Sequence, residues 1–411
     1  MASGRVDRQP GRLGETMPQS ATGLKRILFV DDEPSVLSGL RNVLRGKRRE
    51  WDMVFAVGPE EALARLAEAS FDVVITDMRM PRTDGASLLA KVKQLQPWAV
   101  RMILSGQTEL ESVMASVFIA HMFLSKPCDP ALLQSVVDRA CRLSAILSSD
   151  ELRSAVGAVE MLPSAPQTYV ALNEALQSST CAVADVVRIV ERDVGLCAKL
   201  LQMVNSAFFG LPRRISSLTE TVTYLGMSTI KNLALALGAF SSAVALSGLS
   251  EAALLALQDH SLLTAQIARR IQGSSKEKAE EAFLAGILHE VGRLLKVNDQ
   301  VGPASGPLAD RALLGAYLLG LWGLPHSIME AVAYHKEPHL LAHTTFELVD
   351  VVYIADHLAS EARGTATTEP KLDMAFLAKL GIDPARLSEM RMIAEKVAGR
   401  TASEAAEGQH D

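Results

Sequence analysis

Short apolar runs alternate with helical patterns over the first third of the chain. The runs stand at Lys25–Val30, Met53–Val57, Val73–Thr76, Met102–Leu104 and Met122–Leu124. Between them, apolar residues recur at helical spacing near residues 34–46, 59–69, 85–95, 108–118 and 129–147. Continuous apolar runs rather than alternating ones mark strands buried on both faces. Five strand–helix repeats therefore predict an α/β doubly wound, five-stranded parallel sheet with helices on both sides.

After Asp150 the strand signals stop, and helical periodicity fills the rest. This predicts an all-α second domain. The expected organisation is a tail at 1–23, a sheet domain at 24–147, a join at 148–160, a helical domain at 161–398 and a flexible tail at 399–411. The join reads in two ways. Leu132, Leu133, Val136, Val137, Ala140, Leu143 and Leu147 keep helical spacing that could run on to Val159 as one rod. Ser148-Ser149-Asp150-Glu151 instead matches a capping box that would start a new helix.

Composition narrows the classes. The 411 residues are rich in aliphatic side chains and poor in aromatic ones, which suits helices and excludes a mostly disordered chain. Net charge is −6 overall, about +1 over residues 24–147 and −8 over 148–411, so a broad nucleic-acid footprint and a DNA-binding output are not expected. The basic run Arg45, Lys47, Arg48 and Arg49 reads as a solvated loop after a helix. Four cysteines without disulfide density or C-x-x-C spacing fit a cytoplasmic protein with reduced thiols. The polar start lacks a signal-peptide core. The uncharged stretch Asn232–Ser250, with four serines and two glycines, reads as a buried helix rather than a membrane span.

Ligands bind beyond the carboxyl ends of parallel strands. Strand one ends in Asp31-Asp32, strand three in Asp77, strand four in Ser105, and strand five near Lys126-Pro127. Hard carboxylate oxygens in that number suit Mg²⁺, a carboxylate beside Mg²⁺ can attack a phosphoryl group, and a lysine can neutralise the product. Lys126-Pro127 is a candidate cis peptide.

These words, Val30–Glu33, Thr76–Pro81 with Asp84-Gly85, Leu104–Gly106 and Ser125–Pro127, resemble those of the receiver domain of bacterial two-component response regulators. The resemblance implies that Asp77 is the phosphoacceptor and that Asp31, Asp32, Asp77 and the backbone carbonyl of Arg79 hold Mg²⁺. It implies that Ser105 and Lys126 respond to the phosphoryl group, with Ser105 and Phe123 as switch residues. It also implies a histidine kinase as phosphodonor and a homodimer through the receiver.

His260, His289-Glu290, His335-Lys336 and Asp356 lie on separate helical patterns of the second domain, and such residues could build a metal site in a helical core. Alone that spacing says little. The surrounding words Leu162–Pro166, Glu191–Leu196, Leu200–Gly210, Ile215–Met227, Ala285–Gly292 and Leu314–Pro325 resemble the HDOD family, helical output domains related to HD metal-dependent phosphohydrolases. By that resemblance His260, His289, Glu290 and Asp356 fall on the metal-ligand positions. Glu290 replaces an aspartate there, and Lys336 stands where a second histidine would be. Both departures weigh against a transition metal and against hydrolysis. Asn205-Ser206 and Trp322 are further candidates for a partner or ligand surface.

The expected function is a response regulator whose receiver controls an HDOD output acting by protein interaction or oligomer change. The rival readings are a phosphorylation-gated phosphohydrolase of a nucleotide or cyclic dinucleotide, and an output that binds a nucleotide without cleaving it. The downstream partner cannot be read from the sequence.

Overall fold

The computed structural model describes residues 24–106, 119–144, 154, 156–157, 159, 162, 166–178, 180–206, 209, 211, 213–239, 249–273, 275–295, 307–364 and 371–407. The predicted helix at 108–118, the tail at 1–23 and the helix continuity across 145–153 lie outside them. The chain forms two compact units. One holds Asp259–His289 with the residues from His326 onwards, and the other holds Ser20–Gln258 together with Glu290–Pro325.

The second of these contains the sheet. Strands β1 (Lys25–Asp31), β2 (Trp51–Val57), β3 (Val73–Asp77), β4 (Val100–Gly106) and β5 (Met122–Lys126) are all parallel, in the order β2-β1-β3-β4-β5. Strand β3 is buried at every position, as a central parallel strand must be when helices cover both faces. Helices α1 (Pro34–Val43), α2 (Gly58–Glu68), α3 (Gly85–Leu95) and α4 (Pro130–Ser144) connect and flank the strands. The basic run departs from the expected loop: Leu44–Arg49 is a 3-10 helix, and Lys47 pairs with Asp138 at 2.8 Å and Glu50 at 2.9 Å.

Helices α5 (Pro166–Gln177), α6 (Val183–Val190), α7 (Val194–Val204) and α8 (Leu218–Ala239) follow in the same unit. Helix α9 (Glu251–Gln272) comes next in the chain, then α10 (Lys276–Leu288), α11 (Pro307–Leu321), α12 (His326–Tyr334), α13 (Leu348–Ala362), α14 (Met374–Lys379) and α15 (Pro384–Glu407). Helix α15 continues past residue 399, where the sequence reading begins a flexible tail. The alanines and glutamates of 402–407 are good helix formers and carry the last turns. Among the described residues no helix is long and apolar enough to cross a membrane. The uncharged stretch enters α8 up to Ala239, and its residues 240–248 lie outside the described ones.

Every residue of α7 is buried, and its Gln202 side chain reaches the sheet domain. Asp193 caps the helix through Leu196 N–H at 2.8 Å. Gln202 Nε2 donates to the carbonyls of Ala120 and His121, at 3.3 and 3.2 Å, where the chain enters β5. Arg101, fully buried near the start of β4, donates to Ile119 O at 2.8 Å and Gly157 O at 2.7 Å, and its own N–H donates to His121 Nδ1 at 3.1 Å. Burial, helped by Arg101 and Lys199, holds His121 neutral, well below the usual histidine range. The amino ends of β4 and β5 are therefore tied to the helices that follow.

Lys199 is the costly member of α7. Burial pushes its ammonium down to about 7, with Nζ 5.3 Å from the Trp322 ring centroid. The unfolded chain then binds one more proton than the folded one between pH 7 and the ordinary lysine range near 10.4, so this residue's contribution to stability rises with pH across that window. Lys199→Met is expected to be more stable than the wild type at pH 7, with the gap closing towards pH 10 in paired thermal melts. A gap that does not depend on pH would refute this.

Candidate functional sites

The first site is the carboxyl-end rim of the sheet. Strands β1 and β3 are neighbours, so Asp31 and Asp77 end side by side. The Asp31 side chain turns inward, and its Oδ1 accepts from Glu33 N–H at 2.9 Å. Lys126, at the end of β5, reaches across β4: its Nζ lies 2.9 Å from Asp31 Oδ2 and pairs with Asp77 Oδ1. The Asp77 Oδ2 accepts from Arg79 N–H at 3.0 Å. Asp32 is half-buried on the loop after Asp31, Ser105 is fully buried at the end of β4, and Phe123 is buried within β5. The Lys126-Pro127 peptide is cis.

The loop after β3 is built for close approach. Asp84 caps α3 by accepting from Ser87 N–H at 2.8 Å, and Gly85 N–H donates to Met78 O at 2.9 Å. A Cβ on Gly85 would overlap the Asp77 carbonyl, so only glycine lets α3 begin against the end of β3.

Electrostatics at the rim are crowded. Burial pushes the Asp77 carboxyl above its ordinary range, Asp31 adds to that, and Lys126 opposes it. Burial works against the Lys126 charge as well, but its bonds to Asp77 and Asp31 outweigh this and raise it. Two adjoining carboxylates with one ammonium between them leave unbalanced negative charge. That hard-oxygen donor set fits Mg²⁺.

The second site lies in the unit without the sheet. His260 Nε2 is 2.8 Å from Asp356 Oδ1, and His289 Nε2 is 3.4 Å from the same oxygen. Ligand atoms of these three residues lie within 4.8 Å of one another. His289 donates Nδ1–H to Gly286 O at 2.7 Å and His335 donates Nδ1–H to Val332 O at 2.9 Å, which orients both rings through Nδ1. The two rings are 5.0 Å apart, and burial, with His289 and Lys336 adding to it, pushes His335 down to about 3.

The fourth residue expected there is not among them. Glu290 follows the end of α10 and directs both carboxylate oxygens to Arg293, at 2.9 and 2.8 Å. Lys336 Nζ lies 2.7 Å from Asp356 Oδ2. Burial alone would raise the Asp356 carboxyl, but His289, His260 and Lys336 hold it well below its ordinary range. The nitrogen and oxygen donors of His260, His289 and Asp356 fit a single borderline metal ion. The ammonium on the second Asp356 oxygen leaves little there for another cation.

Sequence reasoning missed the polar tie at Arg101, His121, Gly157 and Gln202. A signal was present: Arg101 interrupts the apolar run Val100–Leu104, and a charge inside a central strand needs buried partners.

Comparisons with known proteins agree with both halves. Residues 27–138 match the response regulator receiver domain, 162–299 the HDOD domain and 257–361 the HD domain. The hydrogenase transcriptional regulatory protein HoxA of Bradyrhizobium diazoefficiens is 37% identical over 120 residues, 28% of this chain and 24% of that protein. The transcriptional regulatory protein GlrR of Escherichia coli is 32% identical over 133 residues, 32% of this chain and 29% of that protein. The chain thus spans about a quarter of the length of these curated relatives. A receiver-domain crystal structure from Clostridium thermocellum is 30% identical, covered over 100% of its length and 30% of this chain, with a TM-score of 0.28. The chain thus carries a response regulator receiver domain followed by an HDOD domain that overlaps a match to the HD domain.

Proposed function

We propose that Asp77 accepts a phosphoryl group from a histidine kinase in the presence of Mg²⁺, and that the modified receiver regulates the HDOD output through protein interaction or a change of oligomer. The observation that carries this is the meeting of Asp31, Asp77 and Lys126 at one rim. An O–P bond would form at an Asp77 oxygen as the N–P bond of a phosphohistidine breaks. Asp31, Asp32, Asp77 and the Arg79 carbonyl would hold Mg²⁺, which when bound offsets charge on the transferred oxygens. Lys126 would pair with the phosphoryl group and Ser105 would donate to it. Two curated relatives are named as transcriptional regulators, but the acidic output here favours a protein partner over DNA. The test is incubation of the full chain with acetyl phosphate and Mg²⁺, then a phosphate-affinity gel and light scattering. Uptake with a change in mass or partner capture supports the proposal, and a wild type that takes up no phosphate sinks it.

The cluster of His260, His289 and Asp356 favours a second reading, a phosphorylation-gated metal-dependent phosphohydrolase. Against it stand the Lys336 ammonium on Asp356 and the engagement of Glu290 with Arg293. Metal analysis of the purified chain separates the two. A stoichiometric transition metal that is lost in His289→Ala would favour the hydrolase, whereas a second domain without metal is the expected result.

A further inference from the structure

Two guanidinium groups converge where the last receiver helix meets the output, with no acid among the described residues to balance them. Arg139 projects from α4, on which α11 packs, and Arg214 precedes α8. A Cβ built on Gly323 would lie 3.0 Å from Arg214 Nη1, 3.2 Å from Arg139 Nη2 and 3.3 Å from the Asn205 carbonyl oxygen. Both forks therefore point at one place. Gly323 leaves it clear, with a positive φ of 79° that disfavours a side chain there.

The donors exceed the acceptors. Arg214 Nη1 donates to Asn205 O, while Arg139 Nε is buried without a hydrogen-bond partner among the described residues. Among the described residues no carboxylate acts on either group. Burial, then Arg214 and Arg142, lowers Arg139 to about 10, and burial lowers Arg214, yet both stay charged at neutral pH.

The arrangement is held in place. Asn205 fixes the segment that bears Arg214: its Nδ2 donates to Ile215 O at 2.9 Å, and its Oδ1 accepts from Ile215 N–H at 2.7 Å. Of the candidates that the sequence offers for a ligand surface, Asn205 accepts from Arg214 and Trp322 directly precedes Gly323. Both arginines are only partly buried, which leaves an approach from solvent. Paired planar forks match the oxygens of a phosphate group, whose charge can answer two guanidinium cations where a carboxylate answers one.

We propose that Arg139 and Arg214 form a binding site for a phosphate group, free or carried on a nucleotide, that bridges the receiver and the output. The site is separate from Asp77 and stands whether or not Asp77 is phosphorylated.

The test uses the full chain in an Asp77→Asn background with EDTA. Tm and calorimetric titration are compared in sodium phosphate and in sodium chloride at matched ionic strength, with ADP as a second probe. Phosphate is expected to raise Tm beyond chloride, and Arg139→Gln or Arg214→Gln to weaken binding at least tenfold. Arg139→Lys, which keeps the charge and loses the fork, should fall between. If ADP saturates at a much lower concentration than phosphate, through the same arginines, the site takes a nucleotide. Equal affinities assign it to the free anion. Identical melts in phosphate and chloride, or arginine variants that respond like the wild type, overturn the proposal.

Discussion

Asp77→Asn is expected to take up no phosphate from acetyl phosphate, while its Tm stays at or above that of the wild type. The amide cannot supply the attacking oxyanion, so the loss should reach the detection limit rather than a modest factor. The fold should not suffer, because burial and Asp31 already hold the Asp77 carboxyl above its ordinary range. A group with a raised folded pKa costs stability at neutral pH and regains it as pH falls, so removing its charge removes that cost. Withholding Mg²⁺ from the wild type should likewise suppress uptake. The pairing of unchanged melting with absent labelling separates lost chemistry from lost structure. An Asp77→Asn chain that still labels would place the phosphoacceptor elsewhere.

Arg101→Met is expected to destabilise the sheet-containing unit by about 3–5 kcal/mol, the usual range for removing one partner from a buried charged network. The substitution keeps the length and apolar stem of the side chain but leaves the carbonyls of Ile119 and Gly157 without their donor. Arg101→Lys should lose less, since it retains one charged donor and forfeits the fork. Urea unfolding checks the magnitude. Hydrogen exchange around residues 156–162 checks the place, because loss of the Gly157 anchor should speed exchange there before the sheet core opens. A change within about 0.5 kcal/mol, as for an ordinary surface site, would show that the tie contributes little.

The sheet was legible because its signal is local. Runs such as Val73–Thr76 and the acids that follow them declare strand and strand end together, and the order β2-β1-β3-β4-β5 is that expected of alternating strand–helix units. The rim followed from the rule that ligands sit beyond strand ends, which put Asp31, Asp77 and Lys126 together before any distance was known. The output resisted such reading. His260, His289 and Asp356 are far apart in sequence and meet only through helix packing, which periodicity does not encode. Glu290 falls on a ligand position by resemblance, yet a helix end intervenes and Arg293, three residues on, takes its carboxylate. The Arg101 tie shows in the sequence only as a charge inside an apolar run: its partners, the carbonyls of Ile119 and Gly157, are 18 and 56 positions away, and a carbonyl is what every residue offers alike.

The Arg101–Gly157 and Gln202–His121 bonds bear on how such a protein can be rearranged in evolution or in the laboratory. Receivers are contiguous in sequence, which invites treating them as cassettes that can be moved between outputs. This one has the amino ends of β4 and β5 finished by atoms contributed from beyond residue 150. Cut at the sequence boundary, it would carry a buried arginine and a neutral histidine into water. Transplanted, it would need a recipient that offers a carbonyl and an amide in the same two places. A chimaera that carries residues 24–206 as one piece keeps those partners together, whereas one spliced near 147 parts the strand ends from the groups that close them.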